Sequence, residues 1–268
     1  MDLQLSRHVA VVTGASKGIG LAITRTLLDE GTRVVAASRK VTPELDALTG
    51  SRLVHMPVDL MDPEAPAAVI SRAVEEFGGL DILVNNAGGP PPGAQLPRFS
   101  FHALTDVDWR AMFEFNLFAV VRAVRAALPH MIERGGGSIV NVSSGVARQP
   151  SAVNVDYGAA KAALNHLTKA VSVEFGPQGI RANTVSPGPV RTPWWTDEGG
   201  AADVFAAAVG ADREAVLGTV APQMMALATG RLAEPQEIAD VVALLASPRS
   251  GSTTGAEFTV DGGFLKEI

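Results

Sequence analysis

One tyrosine and one lysine are spaced so that they could act together in proton transfer. Tyr157 is the only tyrosine among 268 residues, and Lys161 follows it four residues later in a stretch that we predict to be helical. An i, i+4 spacing puts both side chains on one face of a helix. A phenol has an ordinary pKa of about 10, and a nearby ammonium group lowers that pKa by favouring the phenolate. The pair is a candidate acid or base, although ordinary surface helices also contain such pairs.

Two serines follow a predicted strand upstream of this pair. The strand at residues 138–142 runs directly into Ser143 and Ser144, and Ser144 precedes Tyr157 by thirteen residues. Hydroxyl groups at the carboxyl end of a parallel strand point into the crevice where such sheets bind ligands. Ser144 could donate a hydrogen bond to a substrate carbonyl and stabilise the negative charge that develops on its oxygen. Capping the next turn is the alternative role, and it would suit Ser143 equally well.

The first predicted strand ends in a glycine-rich turn that is suited to phosphate. Glycines let the backbone approach a pyrophosphate closely, and the helix that follows supplies free amides and a partial positive charge. The spacing is Gly-x3-Gly-x-Gly rather than the usual G-x-G-x-x-G. A turn built only for tight packing is the alternative. The predicted dinucleotide contacts in this turn are Gly14, Ser16, Lys17, Gly18, Ile19 and Gly20.

The end of the second predicted strand indicates which dinucleotide binds. NAD-binding sheets tend to carry an acidic residue there for the adenosine ribose hydroxyls. Here the strand ends in Ser38-Arg39-Lys40. The Arg39 guanidinium suits a 2′-phosphate, with Ser38 as a short donor and Lys17 as a second cation. We therefore expect NADP(H) rather than NAD(H), while a merely solvated strand end would leave the choice open.

The end of the third predicted strand adds a contact for the adenine ring. Asp59 and Leu60 follow this strand, and Asp59 could accept a hydrogen bond from the adenine amino group. An aspartate that only forms a turn is the alternative.

The elements that must position these residues alternate between short apolar runs and helical stretches. Alternation of this kind predicts an α/β fold, in which βαβ crossovers build a parallel sheet covered by helices on both faces. Gly31 is a natural stop for the first helix. Two further strands near residues 181–185 and 257–260 bring the expected total to about seven. The other runs are residues 9–12, 33–37, 53–56, 82–84 and 138–142.

Residues 189–229 do not follow this alternation of short apolar runs and helical stretches. They are rich in alanine and carry Trp194-Trp195 and Gly199-Gly200 near their start. We expect a helical substrate flap on a single domain of residues 1–268, because long excursions from an α/β core are often lids and glycine pairs permit hinge motion. A helical pair that only covers core or builds an interface is the alternative.

Composition excludes several function classes. The chain has 22 basic and 28 acidic residues, a net charge of −6 and no cysteine. We expect no nucleic-acid partner, because no basic surface is available, and no disulfide or thiolate metal site. The five histidines form no metal-binding pattern, so no metal is expected. Without an apolar run of about 18 residues we expect no membrane span, and we expect a cytoplasmic protein.

Together these motifs resemble the short-chain dehydrogenase/reductase family, in the compact subtype similar to β-ketoacyl reductases. The likeness covers essentially the whole chain. It implies a Rossmann doubly wound sheet with strand order 3-2-1-4-5-6-7. The matching pieces are the glycine turn at residues 13–20, Asn85-Asn86-Ala87-Gly88, Asn116, the set Ser144, Tyr157 and Lys161, residues 187–192, and Val260-Asp261-Gly262-Gly263.

The resemblance implies a ketone reductase that moves a hydride between NADP(H) and a carbonyl or secondary alcohol. Tyr157 would give the proton to the oxygen, Lys161 would bind the nicotinamide ribose and lower the Tyr157 pKa, and Ser144 would orient the carbonyl. Asn116 would kink its helix and hold a water in a proton relay to Lys161. The further cofactor contacts that the resemblance implies are Asn86, Ala87, Gly88, Pro187, Gly188, Val190 and Thr192.

The sequence constrains the substrate and the oligomeric state less than it constrains the cofactor and the reaction. The segment after Thr192 is longer than in the simplest members of the family, which allows a fairly large apolar or aromatic ketone. Packing is the alternative role for its tryptophans and methionines. The family commonly forms homotetramers, and an apolar face at Ala159, Ala163, Leu164 and Leu167 would suit an interface or the core. The residues expected near the substrate are Val153, Asn154, Trp194, Trp195, Met224 and Met225.

Two alternative functions stay open. One is an NAD-dependent alcohol dehydrogenase of the same family. The other is a non-catalytic NADP(H)-binding regulator, against which the intact set of Asn116, Ser144, Tyr157 and Lys161 argues.

Overall fold

Seven parallel strands form the centre of the structure, a computed structural model that describes residues 1–48, 50–94 and 98–267. Their order is β3-β2-β1-β4-β5-β6-β7, which confirms the predicted fold class and strand order. The strands are β1 Val9–Thr13, β2 Arg33–Ser38, β3 Leu53–Pro57, β4 Ile82–Asn85, β5 Gly137–Val142, β6 Ile180–Pro187 and β7 Glu257–Val260.

The central strands are mostly apolar because both faces of the sheet are covered. All residues of β1 and β4 are buried, as expected for a parallel sheet between two helical layers. Helices α1 and α11 pack on one face, and α3, α5 and α6 pack on the other. The helices are α1 Gly18–Asp29, α2 Pro43–Asp46, α3 Ala65–Phe77, α4 Asp106–Phe113, α5 Ala119–Glu133, α6 Val155–Phe175, α7 Pro193–Thr196, α8 Ala201–Val209, α9 Arg213–Ala215, α10 Ala221–Met224 and α11 Pro235–Ala246.

Local sequence accounts for several helix ends. Gly31 follows α1 with a φ of 83°, so the predicted stop is a left-handed residue that glycine adopts without strain. Thr105 caps α4 through a reciprocal pair of hydrogen bonds with Asp108. In the described part of the chain, no helix is long and apolar enough to cross a membrane.

The segment at residues 189–229 is helical, as its composition predicts. It contains α7 to α10 and a π-helical turn at Val216–Val220, and it has its own small apolar cluster around Trp195. Arg213 ties the segment together, since its guanidinium pairs with Asp203 at 3.2 Å and donates to the carbonyl of Asp197 at 3.0 Å. That this segment moves as a flap, and that the chain folds as a single domain, stay predictions.

An ion pair lies at the amino ends of the strands, away from the glycine turn. Arg134 Nε donates to Asp81 Oδ1 at 2.7 Å, and the other oxygen of Asp81 accepts the backbone N–H of Val9 at 2.7 Å. The carboxylate therefore joins the start of β1 to the end of α5.

Replacing Arg134 with methionine should lower the free energy of unfolding by about 1–2 kcal/mol, because the partly buried Asp81 carboxylate loses its charged partner. Urea unfolding of the wild type and of Arg134→Met measures the difference. The same midpoint and slope for both proteins would contradict this role of the ion pair.

Candidate active site

The glycine turn after β1 closes tightly on itself. Gly14 has a φ of 66°, and a Cβ on Gly20 would lie 2.2 Å from the Gly14 carbonyl oxygen. No described side chain caps the amino terminus of α1. The first N–H groups of this helix therefore face the turn without side-chain partners, as an anion site requires. The residues of this turn fit the pyrophosphate of a dinucleotide.

Hydrogen bonds between β1 and β4 hold the turn in place. Thr13 Oγ1 accepts the backbone N–H groups of Asn86 and Ala87, each at 3.0 Å. Asn86 Nδ2 donates to the Thr13 carbonyl at 2.9 Å. Gly88 then leaves room for Lys161, since a Cβ there would lie 2.8 Å from the Lys161 Nζ. No role was predicted for Thr13, because the backbone groups that it binds lie 73 and 74 residues away in the chain.

Two of the three predicted 2′-phosphate contacts, Ser38 and Lys17, have protein partners in this structure. Ser38 Oγ donates to the Lys40 carbonyl at 2.9 Å and lies 2.9 Å from Nε2 of His55. Lys17 Nζ lies 3.5 Å from Asp197 Oδ2, and Arg39 is exposed. His55 and Asp197 were not predicted. His55 pairs with Ala36 in the register of β2 and β3, which puts it on the Ser38 side of the sheet.

Asp59 and Leu60, which follow β3, both make contacts within the protein. Asp59 Oδ1 accepts the Met61 backbone N–H at 3.0 Å, which is the turn-forming alternative. Leu60 is buried and packs beside Ala65 and Ala119. A contact between Asp59 and adenine stays a prediction.

Ser144, Tyr157 and Lys161 converge at the carboxyl end of β5. Ser144 lies close enough to the Tyr157 phenol to lower its pKa. Lys161 Nζ lies 5.7 Å from the centroid of the Tyr157 ring and donates to the Val142 carbonyl at 2.9 Å. Ser143, in contrast, is buried and donates to the Lys161 carbonyl at 3.3 Å. The capping role left open for Ser144 is present as well, because its Oγ accepts the Val146 N–H at 3.4 Å at the start of the next turn.

Burial governs the protonation of this cluster. It raises the pKa of Tyr157 to about 12, against a smaller lowering by the neighbouring Ser144. Burial also lowers the pKa of Lys161 to about 8. The direction for Tyr157 is opposite to the one that spacing predicts. The physical reason is that the Lys161 ammonium lies over the ring and points at the Val142 carbonyl, so desolvation outweighs its charge.

Asn116 lies in a π-helical turn at Glu114–Phe118, between α4 and α5. A turn of this kind is the helix irregularity that the resemblance implies. The side chain is buried and clamps the loop after β4: its Nδ2 donates to the Gly89 carbonyl at 2.9 Å, and its Oδ1 accepts the Gly89 N–H at 3.0 Å. Asn116 therefore fixes the backbone beside Gly88 and Lys161. Its part in a proton relay stays a prediction.

The chain after β6 passes beside the glycine turn. A Cβ on Gly188, just after Pro187, would lie 2.7 Å from Asp261 Cα, so this glycine permits close packing against the chain end. Val190 is buried and forms a bridge with Ala233. The Thr192 side chain lies 3.3 Å from where a Cβ on Gly18 would be. Thr192 is thus near the turn, whereas Gly188 and Val190 pack internally.

Three of the six residues expected near the substrate, Asn154, Trp195 and Met225, have structural partners. Trp195 is buried and stacks on Phe205 at 5.7 Å between ring centroids. Asn154 Oδ1 accepts the backbone N–H of Arg98 at 2.8 Å. Met225 packs against the same apolar cluster as Trp195, while Met224 is exposed. Packing, the alternative from the sequence, accounts for Trp195 and Met225. In residues 1–48, 50–94 and 98–267, no group of three or more histidines, aspartates or glutamates could hold a metal.

Because Tyr157 is the only tyrosine, its ionisation can be read directly from ultraviolet absorbance. With a pKa of about 12, the folded protein should develop only about a tenth of its tyrosinate signal at pH 11, whereas an ordinary phenol would be about nine-tenths ionised. A titration of folded and urea-unfolded protein tests this. Coincident curves for the two states, with circular dichroism reporting an intact fold, would rule out the burial effect.

Comparisons with known proteins agree with this geometry. A family described as short chain dehydrogenase matches residues 8–201. A cis-4-hydroxycyclohexanecarboxylate dehydrogenase of Sinomonas cyclohexanicum is 37% identical over 98% of this chain and 99% of its own length. A 3-alpha-(or 20-beta)-hydroxysteroid dehydrogenase of Mycobacterium tuberculosis is 36% identical, over 98% of this chain and 91% of its own.

A solved structure is similar over the full length. The L-sorbose reductase from Gluconobacter frateurii, complexed with NADPH and L-sorbose, superposes with a TM-score of 0.90 at 34% identity and covers 100% of both chains. The family match, the full-length relatives and the similar solved structure lead to one conclusion. This chain belongs to the short-chain dehydrogenase/reductase family of oxidoreductases.

Proposed function

We propose that the protein transfers a hydride between NADP(H) and a carbonyl or secondary alcohol, acting as a ketone reductase in the direction of reduction. The observation that carries the proposal is the cluster of Ser144, Tyr157 and Lys161 at the carboxyl end of β5. It lies in a sheet whose first strand ends in a glycine cradle that fits a pyrophosphate.

The bound cofactor would supply or accept the hydride, and the side chains of the site would transfer the proton. With a pKa of about 12, Tyr157 keeps its proton at neutral pH and can donate it to a carbonyl oxygen. The Ser144 hydroxyl, which lies beside Tyr157, would orient that oxygen and stabilise its negative charge. Lys161 has a pKa of about 8, so its ammonium supplies positive charge beside the phenol near neutral pH.

The choice of NADP(H) over NAD(H) is supported by the charges at the end of β2. No acidic residue stands there, and the exposed Arg39 has the planar fork that suits a 2′-phosphate. The L-sorbose reductase, which was solved with NADPH, is consistent with this choice. Gly14, Ser16, Gly18 and Gly20 would form the cradle for the pyrophosphate.

For the substrate we propose a ketone, or the matching secondary alcohol, of moderate size. The names of two relatives, a hydroxycyclohexanecarboxylate dehydrogenase and a hydroxysteroid dehydrogenase, support a ring-bound hydroxyl. Because Trp195 packs internally, apolar contacts would come from Val153 and the partly exposed Trp194.

We also propose that the protein assembles as a homotetramer and acts in the cytoplasm. An apolar groove of about 420 Å³ runs between α5 and α6, and Leu167 lines it together with Leu128 and Phe175. Leu164, the other large apolar residue of the predicted face, is fully buried in the core. The groove supports an interface between copies of the chain.

Tyr157→Phe should lower the rate of NADPH-dependent ketone reduction by at least about 100-fold, because the proton donor is lost while packing is kept. Steady-state NADPH oxidation with a panel of cyclic ketones measures this. The melting temperature and NADPH affinity of the variant serve as controls. If the wild-type protein binds NADPH tightly but reduces no ketone in the panel, the alternative of a non-catalytic NADP(H)-binding regulator becomes the better explanation.

Arg39→Ala should weaken NADPH binding by about 10- to 100-fold, because a charge-assisted hydrogen bond to the 2′-phosphate is lost. The neighbouring Lys40→Ala is the matched control and should change affinity much less. Titrations that follow the fluorescence of the three tryptophans compare NADPH with NADH. Unchanged NADPH affinity in Arg39→Ala would remove the argument for NADP(H), and tighter NADH binding by the wild type would favour the NAD-dependent alternative.

A further inference from the structure

One arginine attaches the segment after β4 to the start of α6. Arg98 Nη2 lies 2.6 Å from Asp156 Oδ2, and its Nη1 lies 3.0 Å from Asp108 Oδ1. The Asp156 side chain is 0% exposed and that of Arg98 only 15%. A buried carboxylate is costly unless it is paired and hydrogen-bonded. Asp156 therefore depends on Arg98 for its charge compensation.

The backbone reinforces this attachment. The Arg98 N–H donates to Asn154 Oδ1 at 2.8 Å, and the Asn154 N–H donates to the Arg98 carbonyl at 2.9 Å. Asn154 immediately precedes α6 and has a φ of 55°, a left-handed conformation that asparagine tolerates better than most residues. Side chain and backbone thus fix the same two segments, which lie 56 residues apart in the chain.

The buried carboxylate also contacts the backbone of the catalytic tyrosine. Asp156 Oδ1 accepts the Tyr157 N–H at 3.0 Å, while Oδ2 pairs with Arg98. On the other side, Asp108 belongs to the cap of α4, the helix that leads into the turn of Asn116. Arg98 thus joins the starts of the two helical segments that carry Tyr157 and Asn116.

We propose that Arg98 is a positioning residue, which holds the first turn of α6 through Asp156 and so sets the Tyr157 hydroxyl against Ser144. The inference rests on the proposed function only in assigning Tyr157 to proton transfer. Arg98 itself touches neither Tyr157 nor the reacting atoms. Without the guanidinium, Asp156 would turn toward water and release the Tyr157 backbone, because a buried and unpaired carboxylate is not stable in place.

The test compares Arg98→Met with Arg134→Met. The control is matched, since Arg134 also pairs with a carboxylate that accepts a backbone N–H, that of Val9, but at the opposite end of the strands. Protein labelled with ¹³C at the tyrosine Cζ gives one resonance, from Tyr157. We expect this resonance to shift or split in Arg98→Met and to keep its wild-type position in Arg134→Met. This readout needs neither cofactor nor substrate.

Turnover provides the second measurement. Arg98→Met should lower kcat by about 10- to 100-fold, as expected when a reacting group is misplaced by about 1 Å. The affinity for NADPH should stay within about twofold, because only a transition-state interaction is lost. Arg134→Met should retain the wild-type kcat even if its melting temperature falls.

If Arg98→Met does not fold, Asp156→Asn takes its place, because it keeps the side-chain shape and removes the charge that Arg98 holds. A folded Arg98→Met or Asp156→Asn with the wild-type tyrosine resonance and kcat would overturn the proposal. So would an equal change in Arg134→Met. A wild-type protein without turnover, in which the resonance still moves in Arg98→Met, would count against the proposed function and leave the positioning role standing.

Discussion

The parallel pairing of β1, β4 and β5 is the constraint on which the site depends. Val12 is in register with Val84, and Val84 with Val140. Because parallel strands all point the same way, the carboxyl ends of these three strands lie side by side. The glycine turn after β1, Asn86 after β4 and Ser144 after β5 therefore meet at one end of the sheet. None of the three would be a site alone.

Buried polar side chains lock the helix of Tyr157 onto this sheet. Asn85 donates to Asn141 at 2.8 Å, and Asn141 donates to Thr168 of α6 at 2.8 Å. Thr168 in turn donates to the Leu164 carbonyl at 2.8 Å. This series of buried hydrogen bonds keeps α6 from sliding along the sheet, since any shift would leave unpaired polar groups in the core. It fixes the middle of α6 on β4 and β5, while Arg98 and Asn154 fix its first turn.

Features that are local in the chain could be predicted from the sequence, and features that join distant residues could not. Apolar alternation predicted the seven strands, and an i, i+4 spacing put Lys161 over the Tyr157 ring. The contacts of Lys17 with Asp197 and of Arg98 with Asn154 span 180 and 56 residues, and no local pattern encodes such distances. The pKa of Tyr157 was predicted in the wrong direction because spacing reports neighbouring charge and says nothing about burial.

The groups proposed for the 2′-phosphate differ in the protein contacts that each would lose on binding it. Ser38 would have to give up its hydrogen bond to the Lys40 carbonyl before it could donate to a ligand. Lys17 would leave Asp197, but a pair so exposed and 3.5 Å apart contributes little and is easily broken. Arg39 has no hydrogen bond or ion pair among the described residues, so it can bind a phosphate without losing a partner. Discrimination between NADP(H) and NAD(H) should therefore depend first on Arg39, then on Lys17 and last on Ser38.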